Sequence, residues 1–498
     1  MPPAVSDDPL HVAIIGGGIT GVNLALGLQA RNVSYTIYER STGFREIGAG
    51  IGFSPNAERA MAALNPDILA TFKRLANPNG EDYFRWVDGY ETNDLIFQLH
   101  VGKDGFQGGL RSTFLEEWSK LIPPTAVHFG KQLDSITEPT APDSSKLRLH
   151  FNDGTTATTD VVIGCDGLHS RVRQLLLSPP LTSPPQPNQP PSPDDPIPAT
   201  TDNLTYTHKF CFRALAPMPA AIAALGETKA TTRFMYNGPG AHLITYPVGN
   251  NTLLNILAVI SDPLPNSNST TTSTTANPWP HLRHTTPGHK REAEQAFSRW
   301  TATARAIVGL LPDAGMDKWG LFDLAEHPAP YYARGRVCVA GDAAHAAGPH
   351  LGAGAGMGVE DALVLAGVLA AVDAMMRGVG GGDGDGDEEG HNGEGGGKEK
   401  GEENVEKGNE KVRKRNDGKK GLLERALQVY NEVRYSRTQW VVQATREACD
   451  LFQWRDEKVA RNPERFGREI TQRFHRVWEY DVDGMVEEAL AKLRAPAP

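Results

Sequence analysis

Three glycines near the N-terminus have the spacing with which a polypeptide turn binds a phosphate group. They are Gly16, Gly18 and Gly21, and they follow the apolar run His11–Ile15. Gly16 permits a tight turn after a strand, Gly18 lets the backbone approach a pyrophosphate, and Gly21 lets the following helix pack on the strand. The N-terminus of that helix adds free N–H groups and a positive dipole end. Because Glu39 stands about 20 residues further on, where an acid binds ribose hydroxyls, the pattern predicts a dinucleotide site.

Two further carboxylates follow apolar strands later in the chain. Asp166, in an Asp-Gly turn, follows the run 160–165, and Asp342 follows the run 335–340. A carboxylate at a strand end can bind a sugar or ribityl hydroxyl. The glycine-alanine run 352–356 predicts backbone N–H groups held against a flat ring at the start of a helix. An Asp-Gly turn between a strand and a helix is also common for structural reasons, so Asp166 keeps both interpretations.

The composition excludes several other classes of protein. The chain has 498 residues and a formal net charge of −10, which argues against a nucleic-acid-binding protein. Its four cysteines lie far apart without a CxxC pair, so we expect neither a disulfide framework nor a metal site. Asp7 and Asp8 lie where a signal peptide would carry positive charge, and the longest apolar run, 362–372, is too short to span a bilayer. We therefore expect a cytoplasmic protein without a transmembrane segment.

Three polar, low-complexity insertions separate the ordered blocks of the chain. They are residues 178–201, 263–287 and 378–421, and none can bury enough apolar surface to offset the entropy of ordering it. We expect the third to be a disordered loop between two helices. Residues 203–262 alternate like antiparallel strands, and apolar residues at helical spacing predict helices over 422–498.

The three motifs, in this order, resemble the class A flavoprotein monooxygenases, the fold group of 4-hydroxybenzoate hydroxylase. The stretches GDAAHAAGPHLGAGAGMGVEDA, REIGAGIGFSPNA and HRVWEYDVDGMVEEAL are similar to fungal salicylate-hydroxylase-like enzymes. The resemblance implies an α/β fold with a Rossmann-type FAD-binding domain, an inserted mixed β-sheet substrate domain and C-terminal helices. The expected division is a split FAD-binding domain over 1–80, 105–175 and 325–377, and a substrate domain over 81–104 and 202–324.

This resemblance also assigns residues to FAD. It implies that Glu39 binds the adenosine ribose, Asp342 binds the ribityl or pyrophosphate region, and Ala355 lies at the isoalloxazine edge. Gly52 would lie along the flavin and Arg111 would contact it, although an ordinary surface position on a helix is the alternative for Arg111. The motif of Asp166 is tied in the family to both FAD and the pyridine nucleotide. The full set is Gly16, Gly18, Gly21, Glu39, Gly52, Arg111, Asp166, Asp342 and Ala355.

The reaction follows from the same resemblance. In this family NADPH or NADH reduces FAD, O2 adds at the C4a carbon, and the resulting hydroperoxide hydroxylates an aromatic ring. No second GxGxxG pattern occurs, so we expect the pyridine nucleotide to bind transiently, and the choice between NADH and NADPH stays open. The expected partners are O2, NAD(P)H and a small aromatic substrate. A salicylate-type acid and a polyketide-derived phenol of secondary metabolism both fit.

On the substrate side, a phenolate needs a nearby cation or strong hydrogen-bond donor, which lowers its pKa. Arg213 is an isolated charge within an apolar strand. In related enzymes that hydroxylate polyketide phenols, an arginine and a tyrosine of this region hold the substrate oxygen. The resemblance places these roles at Arg213 and Tyr246, with Tyr236 as the rival tyrosine. His345 and His350 flank the flavin loop, where a structural role is more common than a catalytic one.

Two other classes of function are alternatives. One is a flavin oxidase or dehydrogenase that inserts no oxygen, which the GDAAH motif followed by the glycine-alanine loop disfavours. The other is a non-catalytic flavin-binding regulator that uses the charged segment 378–421 as its contact, which the completeness of the motifs disfavours.

Overall fold

The computed structural model describes residues 9–44, 50–78, 82–102, 105–138, 146–178, 203–262, 279, 284–379 and 399–495, with the backbone alone for 378–379 and 399–416. The strands are β1 His11–Ile15, β2 Ser34–Glu39, β3 Gly50–Phe53, β4 Tyr83–Asp88, β5 Leu95–His100, β6 Gln107–Leu110, β7 Val127–Phe129, β8 Leu133–Thr137, β9 Leu147–Phe151, β10 Thr156–Thr159, β11 Val161–Gly164, β12 Thr205–Pro217, β13 Phe234–Gly238, β14 Ala241–Val248, β15 Leu253–Ser261, β16 Thr285–Gly288, β17 Met316–Asp323, β18 Ala333–Arg334 and β19 Val337–Val339. The helices are α1 Ile19–Gln29, α2 Pro55–Leu64, α3 Pro66–Leu75, α4 Arg111–Ser119, α5 Arg171–Leu177, α6 Met218–Leu225, α7 Glu227–Thr231, α8 Lys290–Ala296, α9 Ala302–Gly309, α10 Asp342–His345, α11 Gly354–Val379, α12 Glu399–Phe452, α13 Glu457–Ala460, α14 Pro463–Trp478 and α15 Val482–Arg494.

A six-stranded sheet has the order β18-β19-β11-β1-β2-β7. β1 pairs in parallel with β2 and β11, and β11 pairs in parallel with β19. Parallel strands covered on both faces are apolar throughout, which explains the composition of His11–Ile15 and Val161–Gly164. Because parallel strands end at the same edge of a sheet, the loops after β1, β2, β11 and β19 converge there. These loops carry the three predicted cofactor motifs.

An eight-stranded mixed sheet has the order β16-β17-β12-β15-β14-β13-β4-β5. The register pairs Arg213 with Leu257, Leu257 with Ile244, and Ile244 with Met235. Paired residues on neighbouring strands project from the same face of a sheet. One face of this sheet therefore presents these four side chains together.

Helix α11 is the one helix of the described residues that is both long and strongly apolar. Its segment Gly354–Arg377 spans 24 residues, is long and apolar enough to cross a membrane, and is 78% buried inside the protein over its most apolar stretch. It packs against α1, α2, α12 and α15. Burial on this scale identifies it as a core helix. The predicted fold class, α/β with an added mixed sheet and C-terminal helices, is confirmed.

The expectation for the insertion 263–287 is wrong at its C-terminal end. Residues Thr285–Gly288 form β16, which pairs with β17. Trp279 is buried, with its ring centroid 5.2 Å from that of Tyr206. A large aromatic side chain and two β-branched threonines supply the apolar contact and strand preference that the surrounding residues lack. The insertion 178–201 lies outside the described residues beyond Ser178.

The expectation of a disordered loop over 378–421 is wrong for its second half. Residues 380–398 lie outside the described residues, but α12 begins at Glu399 and continues through residue 421. Glutamate and lysine are strong helix formers, and a helix extending from a packed segment needs no new nucleus. At the end of this segment Lys419 forms an ion pair of 2.8 Å with Asp160, which is 1% exposed.

Candidate active site

A cavity of about 550 Å³ lies between the cofactor loops of the six-stranded sheet and one face of the eight-stranded sheet. The cofactor loops form one end of it, and the strands β12 to β15 form the other. All the predicted site residues except Gly21 line this cavity, namely Gly16, Gly18, Glu39, Gly52, Arg111, Asp166, Arg213, Tyr246, Asp342 and Ala355.

The glycine turn after β1 has the geometry that a pyrophosphate requires. Gly16 has a φ of 104°, and a Cβ built there would lie 2.4 Å from the carbonyl oxygen of Cys165. A Cβ at Gly21 would lie 2.1 Å from the carbonyl oxygen of Gly16, so close packing of helix on strand excludes a side chain there. A Cβ at Gly18 would meet no protein atom within 4 Å. Gly18 thus leaves clearance for a ligand against the backbone.

Glu39, at the end of β2, is oriented by three hydrogen bonds. Its Oε2 accepts from the backbone N of Gly17 at 2.7 Å. Its Oε1 accepts from the backbone N of Ser41 at 2.8 Å and from the Ser41 hydroxyl at 2.7 Å. The carboxylate therefore stands beside the glycine turn, where it can bind the hydroxyls of a ribose next to the pyrophosphate.

Asp342 and Ala355 lie where the third motif meets the cavity. Asp342 is the first residue of α10 and is exposed, and no hydrogen bond to its carboxylate occurs within the part of the chain that the structure describes. An acceptor in this position is available for the hydroxyls of a cofactor. Ala355 lies in the first turn of α11, where free backbone N–H groups and the positive dipole end favour negative charge on a bound ring.

Asp166 has a structural role as well as a place in the cavity wall. Its Oδ1 accepts from the Ser170 hydroxyl at 2.5 Å, and its Oδ2 accepts from the backbone N of Arg171 at 2.7 Å. Burial raises the pKa of Asp166, and these hydrogen bonds oppose that shift. Nearby, the Arg173 guanidinium donates to the carbonyl oxygens of Ala343 (2.9 Å) and Leu168 (2.8 Å), which joins the second and third motifs.

Gly52 and Arg111 lie at the cavity wall, on and directly after two paired short strands. Gly52 is in β3, which pairs with β6, and Arg111 begins α4 directly after β6. A Cβ at Gly52 would lie 2.2 Å from the ring of Phe106, so that aromatic side chain explains the glycine. Both residues line the cavity, which favours the cofactor interpretation of Arg111 over an ordinary surface position.

The sheet face opposite the cofactor loops carries Arg213 and Tyr246. The Arg213 guanidinium lies 5.0 Å from the centroid of the Trp319 ring. Burial raises the pKa of Tyr246 to about 12, with the charges of Arg233 and Arg213 opposing the shift. Tyr236 is fully buried, stacks on the ring of Phe234 within the eight-stranded sheet, and is absent from the cavity lining. The geometry therefore favours Tyr246 over Tyr236.

Arg233 lines the cavity but was not predicted from the sequence as a site residue. It precedes β13 and is 4% exposed, and its Nη1 donates to the carbonyl oxygen of Phe106. Its guanidinium lies 5.4 Å from the ring centroid of Tyr246. The local sequence Thr-Thr-Arg-Phe contains no sign of this burial, because the rings that cover Arg233 come from distant strands.

His345 belongs to a buried ion network that contacts the third motif next to the cavity. Its Nε2 lies 2.5 Å from Oδ2 of Asp361, which also accepts from the backbone N of Gly341 at 2.9 Å. Arg434 of α12 donates to Asp361 at 2.7 Å and to Glu360 at 2.6 Å. The network joins the third motif to α11 and α12, so His345 positions the loop.

His350 lines the cavity and is paired with a second buried histidine, His242, at 5.2 Å between ring centroids. Burial, reinforced by the charge of Lys209, lowers the pKa of His350 to about 3. Donor atoms of His242, His350 and Cys449 lie within 4.8 Å of one another. The same lysine acts on all three groups, and its positive charge disfavours a bound metal ion between them.

The cofactor loops and the opposing face of the mixed sheet together enclose a site that fits a dinucleotide cofactor. A family model described as FAD binding domain matches residues 9–180 and 264–381. The FAD-dependent monooxygenase pigN of Monascus ruber is 43% identical over 99% of this chain and 99% of its own length. The FAD-dependent monooxygenase orf3 of Aspergillus niger is 42% identical over 97% of each chain. A solved salicylate hydroxylase substrate complex has a TM-score of 0.71 at 26% identity and covers 97% of this chain and 98% of the other.

The chain belongs to the family of FAD-dependent monooxygenases. The predicted family, enzyme class and FAD cofactor are thereby confirmed, and NAD(P)H is the reductant typical of such enzymes. Gly16, Gly18, Glu39, Asp342 and the N-terminus of α11 supply the glycine turn, acids and N–H groups that fit FAD. Relatives that match over nearly the whole chain are monooxygenases, which leaves the oxidase and regulator alternatives without support.

Proposed function

We propose that this enzyme hydroxylates a phenolic ring, which Arg213 and Tyr246 hold as the phenolate. The observation that supports the proposal is that both side chains line the same cavity as the FAD residues, from the opposing sheet face. FAD, reduced by NAD(P)H, activates O2 and supplies the electrophilic oxygen atom when bound. The task of this chain's own residues is then to bind the ring, ionise it and keep water away.

The charges near Tyr246 suit a phenolate ligand. A guanidinium beside the phenol stabilises its ionised form, which raises electron density at the ring carbons ortho to the oxygen. Because its own pKa is raised to about 12, Tyr246 is a neutral hydroxyl that donates a hydrogen bond at neutral pH. The apolar side chains of Phe106, Met235 and Leu257 line the same region and exclude water from the reacting atoms.

The proposed substrate is a phenol of fungal secondary metabolism. The relatives that match over most of the chain are fungal enzymes, and the solved structural neighbour is a salicylate hydroxylase substrate complex. Stimulation of NAD(P)H oxidation by a panel of phenols, benzoates and polyketide-derived aldehydes would test the class.

The residue roles are tested by comparing FAD content, NAD(P)H oxidation, product and hydrogen peroxide in Arg213→Ala and Tyr246→Phe. We expect FAD content to be retained and product formation to fall by roughly a hundred- to thousand-fold, with hydrogen peroxide released instead. The loss follows because the substrate oxygen would no longer be held and ionised.

Tyr236→Phe is the matched control, since Tyr236 is a buried tyrosine of the same sheet that lies outside the cavity lining. It should retain wild-type coupling of NAD(P)H oxidation to product. Wild-type coupling in both Arg213→Ala and Tyr246→Phe would refute the roles. A defect in Tyr236→Phe alone would transfer the tyrosine's role to that residue.

We also propose a cytoplasmic location. Its support is that Cys165, Cys211, Cys338 and Cys449 are free and buried, as suits a reducing compartment, and that the membrane-length helix is a core helix. Fractionation of cells that express a tagged chain tests this, and recovery with membranes would contradict it.

A further inference from the structure

The Arg233 guanidinium is buried without a counterion. It is 4% exposed, and no carboxylate acts on it within the part of the chain that the structure describes. Its Nη1 donates to the Phe106 carbonyl oxygen, whereas its Nε has no hydrogen-bond partner there. Burial lowers the pKa of Arg233 to about 9. A buried, unpaired charge is costly, so this side chain needs an anionic partner.

Aromatic rings surround Arg233 but do not replace an anion. Its guanidinium lies 4.5 Å from the ring centroid of Phe106, 5.2 Å from that of Phe84 and 5.4 Å from that of Tyr246. Ring faces attract a cation only weakly compared with a charge-assisted hydrogen bond to an oxygen anion. The rings do hold the guanidinium in one orientation at the cavity wall, so that little ordering is left for a ligand to impose.

The charge of the cavity wall is divided between its two ends. The carboxylates among the described lining residues are Glu39, Asp166 and Asp342, and all three belong to the cofactor motifs. The substrate end presents Arg213 and Arg233, with no carboxylate among the lining residues that are described there. A ligand that carries negative charge at two places would neutralise both cations.

The strand order separates the two cations. Arg213 is on β12 and Arg233 directly precedes β13, and β15 and β14 lie between these strands. Three strand spacings place the two backbones about 14 Å apart. Tyr246, on β14, lies between them. The arginines therefore approach the cavity from opposite sides of Tyr246, so a ring bound between them can present a different oxygen to each.

We propose that Arg233 binds a second anionic oxygen of the substrate, a carboxylate or an acidic ring oxygen, on the side of the ring away from the phenolate held by Arg213 and Tyr246. This inference rests on the proposed function for the placement of the first oxygen. It makes Arg233 the residue that selects doubly acidic aromatic substrates over singly acidic ones.

The experiment measures binding to the FAD-loaded enzyme by perturbation of the flavin absorption spectrum. The probes are 2,4-dihydroxybenzoate and 2,4-dihydroxybenzamide, which have the same shape and differ in charge. We expect the wild type to bind the acid at least about tenfold more tightly than the amide. Arg233→Met should remove this preference, and Arg233→Lys should keep part of it. Arg213→Ala should weaken binding of both probes.

A wild-type enzyme that binds the acid no more tightly than the amide overturns the proposal, as does an unchanged preference in Arg233→Met. FAD content and melting temperature report whether the variants fold. The ratio of the acid and amide affinities of the wild type can be measured without any variant. The readout needs no oxygen transfer. Failure of the proposed hydroxylation would instead appear as hydrogen peroxide without product in the wild type, whatever the binding ratio.

Discussion

At the scale of single residues, Glu39 combines two tasks in one carboxylate. It accepts three hydrogen bonds, from the Gly17 backbone and from the backbone and hydroxyl of Ser41, and so holds the turn beside it in shape. The same carboxylate lines the cavity where the ribose of FAD is expected. Replacing one oxygen by an amide NH2 removes an acceptor that the backbone donors require.

We therefore expect Glu39→Gln to weaken FAD binding by about tenfold or more, since hydrogen bonds to a charged group contribute about 1.5–3 kcal/mol. Titration of the apoenzyme with FAD measures the dissociation constant. Ser34→Ala, an exposed position at the start of the same strand, is the control and should bind FAD like the wild type. An unchanged dissociation constant in Glu39→Gln would show that the ribose lies elsewhere.

Two arginines mark the limit of what the sequence could predict about the site. Arg213 could be found because it interrupts an apolar strand, which is a local signal. Arg233 could not, because its burial arises from Phe84 and Phe106, which are more than a hundred residues away in the chain. The glycine turn could be predicted because backbone geometry restricts the residue type there. Glu39 and Asp342 could be predicted because each follows an apolar strand.

At the scale of elements, the ion network between α11 and α12 holds the third motif in place. Arg434 is fully buried and contacts both Glu360 and Asp361. Removing one partner of a buried ion network leaves uncompensated charge, which costs about 3–5 kcal/mol. Exposed ion pairs contribute far less.

Arg434→Met should therefore lower the free energy of unfolding by about 3–5 kcal/mol, as measured by urea denaturation of the holoenzyme. Arg468→Met is the control, because Arg468 pairs with Glu464 on the surface of α14 and its side chain is 72% exposed. Its effect should stay below about 1 kcal/mol. Equal effects of the two substitutions would contradict the importance of the network.

The same network predicts a pH dependence. Burial raises the pKa of Asp361, but the charges of His345 and Arg434 outweigh it, so the pKa lies below its usual range. A carboxylate with a lowered pKa in the folded state stabilises the fold above its unfolded pKa of about 4, and this contribution is lost as the pH falls further. Urea midpoints of wild type and Asp361→Asn should differ most near neutral pH and converge in acid. A constant difference would contradict this assignment.

The elements themselves were predictable to different degrees. The strands β1 and β2 and the antiparallel strands over 203–262 followed from apolar runs and alternation, which are local properties. The start of α12 at Glu399 did not, because the apolar spacing that marks a helix begins only near Leu423. Helix propensity without an apolar face is a weak signal, and tertiary packing of the later turns stabilises the earlier ones.

At the scale of the whole molecule, the charged segment 378–421 contacts the rest of the fold near its C-terminal end. Lys419 pairs with Asp160 at 2.8 Å, and Asp160 also accepts from the backbone N of His11 at 2.9 Å. The part of α12 around Lys419 thus contacts the six-stranded sheet at the start of β11. The low-complexity residues before it have a composition that adds little to a core.

Replacement of residues 380–398 by a short Gly-Ser linker should leave turnover near the wild-type rate. It should change the free energy of unfolding by no more than about 0.5 kcal/mol, since loop length affects stability only logarithmically. Lys419→Met should lower stability by about 1–3 kcal/mol, because it leaves the buried Asp160 carboxylate without its cation. The control is Lys420→Met, whose side chain is 49% exposed. Thermal unfolding compares the three, and a large loss in the linker variant would mean that the replaced residues dock on the fold.

The position of α11 in the chain has a consequence for synthesis. This membrane-length helix is covered in part by α12 and α15, which leave the ribosome later. About a hundred residues separate the end of α11 from α15, so translation at roughly 5–20 residues per second leaves the helix partly bare for several seconds. A message truncated after Arg377 would produce a chain in which α12 and α15 never cover this apolar helix. We expect such a product to be retained by chaperones or membranes and degraded.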